Sequence, residues 1–278
     1  MRARNFLLTF FIVVLLANPA GATTRDVKLF YKIYFGGFNV VDLTVDISLK
    51  SSAYKFTAKA ESVGLIGRMF PWWMKAYSNG ELSESKISPI VAGQRNNWRG
   101  QDRVVDLKFA DGIATIDRIL PEPESDGRDR VPIEMRSGVT DLTGAILGII
   151  REMDNGKSCE AKMPVFDGRR SYDLVAKPDG RDKLQYSGYT PYVGETVTCR
   201  VTIRKKAGFK KEDKSGWNDR ERTARVWMAK TFAHVPPVPV RLTTDTPLGS
   251  VIAHLNAASV NSNGHKMRLK YPETTEKK

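Results

Sequence analysis

Few residues of this chain are of the types that metal or nucleophilic chemistry uses. The histidines are His234, His254 and His265, and the cysteines are Cys159 and Cys199. No histidine stands at metal-ligand spacing from another histidine or from a cysteine. The sequence also lacks a Gly-x-Ser-x-Gly elbow and a glycine-rich phosphate loop. We therefore predict no catalytic residue, no metal site and no cofactor.

The two cysteines are better explained by a disulfide than by metal binding. In an exported chain, exactly two cysteines favour one disulfide over a metal site. Asp167–Gly168 and Asp179–Gly180 lie between Cys159 and Cys199, and Asp-Gly is a favoured pair in hairpin turns. We predict that two hairpin turns place the cysteines on different strands and that a disulfide joins those strands.

Asp167 and Arg169 allow two interpretations. They could form a functional pair at the tip of a hairpin. Alternatively, Asp167 and Gly168 are the turn itself, and Arg169 with Arg170 begins the next strand. The second interpretation is favoured because Asp and Gly are ordinary turn residues.

The first residues have the pattern of an export signal. Arg2 and Arg4 precede the apolar run Phe6–Ala17, and Ala20–Ala22 reads Ala-Gly-Ala. Small residues in this arrangement are typical of a cleavage site, and the run is too short to span a bilayer. We expect residues 1–22 to be removed and the mature protein, from Thr23 onward, to be periplasmic.

The formal charge of +13 falls by two when Arg2 and Arg4 are removed. An exported protein rarely meets nucleic acid, so we expect none as a partner. A basic surface outside the cytoplasm favours anionic lipid, lipopolysaccharide or an envelope protein. The alternative is a charged surface that only keeps the protein soluble.

Much of this charge is in Arg200–Lys230, which holds eleven basic and four acidic residues. We expect five lysines in or beside a loop of this segment to contact an anionic surface. They are Lys205, Lys206, Lys210, Lys211 and Lys214. The alternative is a solvated loop without a partner.

The elements that would position these residues are strands. In Phe38–Leu49, apolar residues alternate with polar ones, and Gly36–Gly37 separates this run from Val27–Phe35. Similar runs with turn residues between them continue to Leu255. Thr140–Met153 is the one clear helix, with an apolar stripe and Thr140 as a possible cap. We predict a mainly β protein: a single curved antiparallel sheet, a half-barrel or β-spiral, with one short packed helix. The domain would span residues 23–260 and be followed by a flexible basic tail at 261–278.

An aromatic cluster around Pro71 interrupts the strand pattern. Phe70, Trp72, Trp73 and Met74 could form an exposed lip for a lipid or acyl chain. The favoured alternative is that the tryptophans cap the core, since large aromatic residues usually pack inside.

The segment VFDGRRSYDL after Cys159, the partner Cys199 and the closing VPVRLTTDTPLGSVIAHL resemble the bacterial envelope proteins of domain-of-unknown-function family 3108. The resemblance covers nearly the whole mature chain. It implies an exported, β-rich protein without an established activity. By analogy, related envelope proteins of similar architecture resemble lipoprotein-carrier folds, in which a curved sheet wraps around an apolar interior.

Two functions therefore remain as hypotheses. One is a non-enzymatic binding or scaffold protein that supports the cell envelope by holding an apolar or anionic component. The other is a hydrolase acting on an envelope polymer. A lined groove would favour the first, and converging carboxylates or a His-Ser pair would favour the second.

Overall fold

The computed structural model describes residues 24–83, 86–98, 100–210, 222–233 and 235–269. The predicted export signal, His234, Lys211 and Lys214 lie outside these residues. The described chain forms two α-helices, α1 (Gly64–Met69) and α2 (Leu142–Asp154), and two 3-10 helices, Glu124–Asp126 and Ile133–Arg136. Its strands are β1 (Arg25–Phe35), β2 (Phe38–Leu49), β3 (Ala53–Ser62), β4 (Trp73–Leu82), β5 (Ile87–Trp98), β6 (Gln101–Ala110), β7 (Ile113–Leu120), β8 (Ala161–Phe166), β9 (Ser171–Leu184), β10 (Gly194–Ala207), β11 (Arg222–Ala229), β12 (Val238–Thr246), β13 (Gly249–Ser262) and β14 (His265–Arg268).

All these strands belong to one sheet, in the order β7-β6-β5-β4-β3-β2-β1-β13-β12-β11-β10-β9-β8, with β14 on β13. Each named pairing is antiparallel, so two meanders, β1–β7 and β8–β13, meet where β1 pairs with β13. Alternating apolar residues such as Leu29, Val240 and Leu255 form the largest core cluster at this junction. The predicted fold class, a single curved antiparallel sheet with one packed helix, is confirmed.

The two outer strands of the sheet, β7 and β8, approach each other through a short linking segment. Ser137 bridges to Ile113 of β7, and Thr140 bridges to Val165 of β8. Behind this segment, Val105 of β6 packs with Phe166 of β8 in a separate core cluster. The sheet is therefore nearly closed, and we call the contact between β5–β7 and β8–β9 the seam.

Alternate turns of an antiparallel meander lie at the same end of the sheet. The turn Gly36–Gly37, the connection 63–72, the turn around Leu248 and the β8–β9 turn 167–170 all share one end. We call this the tip end. The β9–β10 loop, 185–193, lies at the opposite end.

Helix α2 packs over the disulfide region. Ala145 and Ile149 join Cys159 and Cys199 in one buried cluster. Cys159 and Cys199 form a disulfide bond, and their Cα atoms are 6.3 Å apart. The predicted pair is confirmed. The disulfide links the segment before β8 to β10, across the intervening β9.

The start of α2 differs from the expectation that Thr140 caps it. Asp141 is the cap, since its carboxylate accepts hydrogen bonds from the backbone nitrogens of Thr143 and Gly144. Ser78 of β4 also donates to Asp141, at 3.1 Å, which ties the helix to the sheet interior. Burial raises the pKa of Asp141.

The prediction of a second hairpin turn at Asp179–Gly180 was wrong. Strand β9 runs through these residues to Leu184, and the register against β10 shifts there, where Thr198 faces Gly180 and Cys199 faces Pro178. Gly180 has a φ of 104°, so the Asp-Gly pair forms a β-bulge instead of a turn.

The predicted flexible tail at 261–278 also needs correction over its first residues. Strand β13 continues to Ser262, and His265–Arg268 returns as β14 on it. Leu269 then packs against the main core. Residues 270–278 lie outside the described part of the chain.

Candidate anion-binding site

The β8–β9 turn is pressed against β6 at the seam. Gly168 has a φ of 88°, and a Cβ there would collide with Cγ1 of Val105. Gly208, just after β10, likewise has no room for a Cβ because it lies against the backbone carbonyl of Arg169. Two glycines therefore allow the turn and the end of β10 to meet, and they fix the position of Arg169.

Asp167 organises this turn. Its Oδ1 accepts hydrogen bonds from the backbone nitrogens of Arg169, at 3.0 Å, and Arg170, at 2.8 Å. Its Oδ2 accepts from Nε of Arg170 at 2.8 Å. Asp167 thus has the structural role of a turn residue, and its ion pair is with Arg170.

Arg169 is set apart from the other cations of the seam. Its side chain is 8% exposed, and its Nη2 donates to the carbonyl of Pro121 at 2.7 Å. Its Nη1 is buried and has no hydrogen-bond partner among the described residues. Burial lowers the pKa of Arg169, and the nearby Arg103 guanidinium adds to this effect. A buried guanidinium nitrogen that finds no acceptor among these residues is costly, so it favours binding of an anion.

A second carboxylate, that of Asp126, forms ion pairs with the neighbouring cations. Arg103 of β6 binds it with both terminal nitrogens, each at 3.1 Å, and Nε of Arg128 adds a third bond at 3.1 Å. The ammonium of Lys210 lies 3.4 Å from Asp126 Oδ1. Burial alone would raise the pKa of Asp126, but the hydrogen bonds from Arg103 and Arg128 outweigh it and hold the pKa far below its usual value.

Together these groups line a cleft of about 340 Å³ at the tip end of the seam. We call it the arginine cleft: its charged residues are Arg103, Arg128, Arg169, Arg170, Lys210, Asp126 and Asp167. Its five cations exceed its two carboxylates. Gln94 and Asn96 of β5 supply neutral hydrogen-bonding groups at its wall. Guanidinium groups match the geometry of phosphate and carboxylate, so the chemistry available here is anion binding.

A larger cavity lies elsewhere. It measures about 690 Å³ and lies between α2, the start of β5, the β6–β7 turn and β8. Its wall is mixed: Ile87, Phe109 and Met163 are apolar, whereas Lys86 and Arg151 are charged. Gly148 of α2 lies close to this wall, since a Cβ there would come within 2.9 Å of Met163 Cε.

The described lysines of the predicted anionic-surface segment each have a partner. Lys205 lies over the ring of Phe209, at 5.4 Å, and Lys206 forms a 2.5 Å ion pair with Asp173. Lys205 and Lys206 belong to strand β10, and Lys210 contributes to the arginine cleft. Because Lys211 and Lys214 lie outside the described residues, the predicted group remains a prediction.

The four residues of the predicted lip differ in their exposure to solvent. Phe70 and Trp73 are exposed, whereas Trp72 and Met74 are half-buried. Ser62 holds the segment, since its hydroxyl accepts from the backbone nitrogen of Trp72 at 2.9 Å. The aromatic cluster therefore only partly covers the core.

His254 and His265 do not line the arginine cleft. His254 is buried on β13 and stacks on Tyr189, with ring centroids 5.4 Å apart. Burial, with some repulsion from Arg241, lowers the pKa of His254 to about 4. His265 is exposed on β14. Within the described ranges, no group of three or more His, Cys, Asp or Glu residues is placed to hold a metal ion. No helix among those residues is long and apolar enough to cross a membrane.

Sequence reasoning missed most of the arginine cleft. It singled out Asp167 and Arg169, but Arg103, Asp126 and Arg128 come from segments that are distant in sequence and read as an ordinary strand and loop. One available signal was the glycine after Asp167, since a glycine at a tight turn also permits a close approach by another strand.

Comparisons with known proteins agree with the architecture. A crystal structure of a β-barrel-like protein of domain of unknown function DUF1849 from Brucella abortus is similar at 9% identity, with a TM-score of 0.50. The alignment covers 86% of this chain and 98% of that one. The chain is thus a β-barrel-like protein. A DUF1329 family protein from Desulfovibrio piger aligns at 11% identity over 87% of this chain and 79% of that one, with a TM-score of 0.21.

The match to a protein family is more specific than the structural similarity. The family model described as "Protein of unknown function (DUF3108)" matches residues 31–256, and the chain belongs to this family. This result confirms the resemblance found in the sequence. No curated protein matches the chain.

Proposed function

We propose that the protein is a non-enzymatic binding protein of the periplasm, which holds an anionic group of an envelope component in the arginine cleft. The observation that supports this proposal best is Arg169, whose buried guanidinium has one nitrogen without an acceptor in the part of the chain that the structure describes. The basic composition and the export pattern of the first residues agree with an anionic envelope ligand.

The cleft has groups suited to a phosphate or carboxylate. Asp126 and Asp167 hold Arg103, Arg128 and Arg170 in place, and the excess positive charge remains available. A ligand anion would receive hydrogen bonds from preformed donors, so little ordering entropy would be lost on binding.

The test is calorimetric titration of the protein with inorganic pyrophosphate at low salt. Wild type should bind, and Arg169→Gln should bind about 10–100-fold more weakly, since a charge-assisted hydrogen bond contributes about 1.5–3 kcal/mol. Arg181→Gln is the matched control, because Arg181 is exposed on β9 beyond the bulge and away from the cleft.

Equal affinities for wild type and both variants would contradict the proposal, because the binding would then depend only on net charge. Absence of binding by wild type at low salt would also contradict it. Circular dichroism of each variant would show that the fold is retained.

A further inference from the structure

Three neighbouring connections at the tip end carry large apolar side chains into solvent. Phe38, after the β1–β2 turn, is 76% exposed, and Leu248, in the β12–β13 turn, is 84% exposed. In the β3–β4 connection, Leu65 is 70% exposed and Phe70 is 65% exposed. Met69 of α1 is exposed as well. We call these five residues the apolar tips.

The apolar tips are adjacent in the sheet. Their strands follow one another in the order β4-β3-β2-β1-β13-β12, so three successive connections carry them. Neighbouring hairpins in a sheet are two strands apart, or about 10 Å. The tips therefore form a row of separate apolar projections along one end of the barrel.

None of the core clusters of the described residues contains these side chains. Helix α1 has no buried residue. In the β12–β13 turn, Thr246 Oγ1 donates to the carbonyl of Gly249 at 2.7 Å and accepts from the backbone nitrogen of Leu248, so Thr246 forms the turn. Polar residues would serve as well at such positions, and turns usually have them.

The backbone of the β3–β4 connection is also suited to an apolar environment, because several of its polar groups are hydrogen-bonded. Two of its backbone nitrogens have acceptors: Val63 N donates to the carbonyl of Val40 in β2, at 3.0 Å, and Phe70 N donates to the carbonyl of Ile66, at 2.8 Å. The hydroxyl of Ser62 donates to the carbonyl of Phe70 at 3.0 Å. Satisfied backbone groups reduce the cost of moving a segment out of water.

Trp73 follows the β3–β4 tip and is partly exposed, and the ammonium of Lys75 lies 5.7 Å from the centroid of its ring. Tryptophan and lysine together are characteristic of the interface between water and lipid, where the ring lies among the headgroups and the ammonium reaches water. Trp73 and Lys75 are in the first residues of β4, directly after the apolar tips of the β3–β4 connection. A membrane contact requires interfacial residues at such a position.

We propose that the tip end docks on the surface of a phospholipid bilayer, with the apolar tips inserted between the headgroups. A protein interface is a continuous, closely fitted patch, whereas lipid can fill the gaps between separate projections. The inference does not depend on the function proposed for the arginine cleft. That cleft lies at the same end of the sheet, so docking turns its cations toward the lipid phosphates.

The experiment is flotation of the chain from Thr23 onward, which carries the whole described sheet, with vesicles. One set consists of phosphatidylcholine, and the other contains one-quarter phosphatidylglycerol. Wild type should bind both sets. Phe38→Ser with Leu248→Ser should lower partitioning about 100-fold, about tenfold for each apolar side chain withdrawn from water.

The matched control is Tyr186→Ser with Met267→Ser, which changes two exposed residues away from the tip end. It should bind as wild type does. Arg169→Gln should retain binding to neutral vesicles, which separates this inference from the anion site.

Three results would overturn the inference. The first is equal binding by wild type and the tip variant. The second is wild-type binding to anionic vesicles alone, which would assign the contact to charge. The third is dissociation of a dimer by the tip variant in light scattering, without vesicle binding by wild type, which would make a second copy of the chain the occupant.

Discussion

The contact between the β8–β9 turn and β6 can be tested by Gly168→Ala. This substitution adds one methyl group at a position with a φ of 88°, where the new Cβ meets Cγ1 of Val105. Val105 is 2% exposed and belongs to the core of the seam, so it has little room to move.

The expected loss of stability has two parts. A non-glycine residue in the left-handed region costs about 1–2 kcal/mol. Overpacking a filled core costs about 1–3 kcal/mol more. Gly168→Ala should therefore lower the free energy of unfolding by about 2–5 kcal/mol, and it should weaken pyrophosphate binding because the turn carries Arg169.

Urea unfolding, followed by circular dichroism with the disulfide intact, measures this loss. The control is Gly112→Ala in the β6–β7 turn, where φ is 75° and nothing lies within 4 Å of the added Cβ. That variant should lose only about 1–2 kcal/mol. In a Val105→Ala background, the further cost of Gly168→Ala should fall to the same range, because the contact has been removed.

Equal losses for Gly168→Ala and Gly112→Ala would refute the reasoning, since backbone strain alone would then account for both. An unchanged cost in the Val105→Ala background would refute it as well.

Two further predictions concern stability. Replacing Cys159 and Cys199 by Ala opens a loop with a sequence separation of 40 and should lower the free energy of unfolding by about 4 kcal/mol; a thiol assay on denatured, unreduced wild type should find no free thiol, and two thiols would contradict the bond. Because the pKa of His254 falls from 6.5 to about 4 on folding, the unfolded chain takes up a proton first as pH drops. Stability should then decline by up to about 3 kcal/mol between pH 6.5 and 4; His254→Gln should remove this part of the slope, and an NMR titration of His254 with a midpoint near its usual value would show the prediction to be wrong.

The sheet could be predicted because its signals are local. The alternation in Phe38–Leu49 and the glycines at Gly36–Gly37 report on residues that are neighbours in sequence, and an antiparallel meander joins such neighbours. The disulfide was predicted from the export pattern together with the presence of exactly two cysteines. The bulge at Asp179–Gly180 was mistaken for a turn because both structures use a glycine with positive φ.

The arginine cleft could not be predicted in the same way. Arg103 and Asp126 come to line one cleft with Arg169 because the seam closes, and closure depends on the segment that links β7 to β8. The exposure of Leu142 and Ile146 on α2 has a similar origin, since the anchor from Asp141 to Ser78 sets which side of the helix faces the sheet. The helical spacing of the apolar residues predicted the apolar stripe of α2, but it did not predict which side of the helix faces the sheet.

The pairing of β1 with β13 has a consequence for the order in which the protein folds. Each meander can form from contacts that are close in sequence, and the disulfide ties the second meander only to the segment directly before it. The β1–β13 contact joins residues on the order of 200 positions apart, so it depends on the last strands of the chain. Until β13 is in place, β1 presents an unpaired edge with Val27, Leu29 and Tyr31 beside it. An unpaired strand edge promotes aggregation, so the first meander is exposed to aggregation until the last strands of the chain have folded.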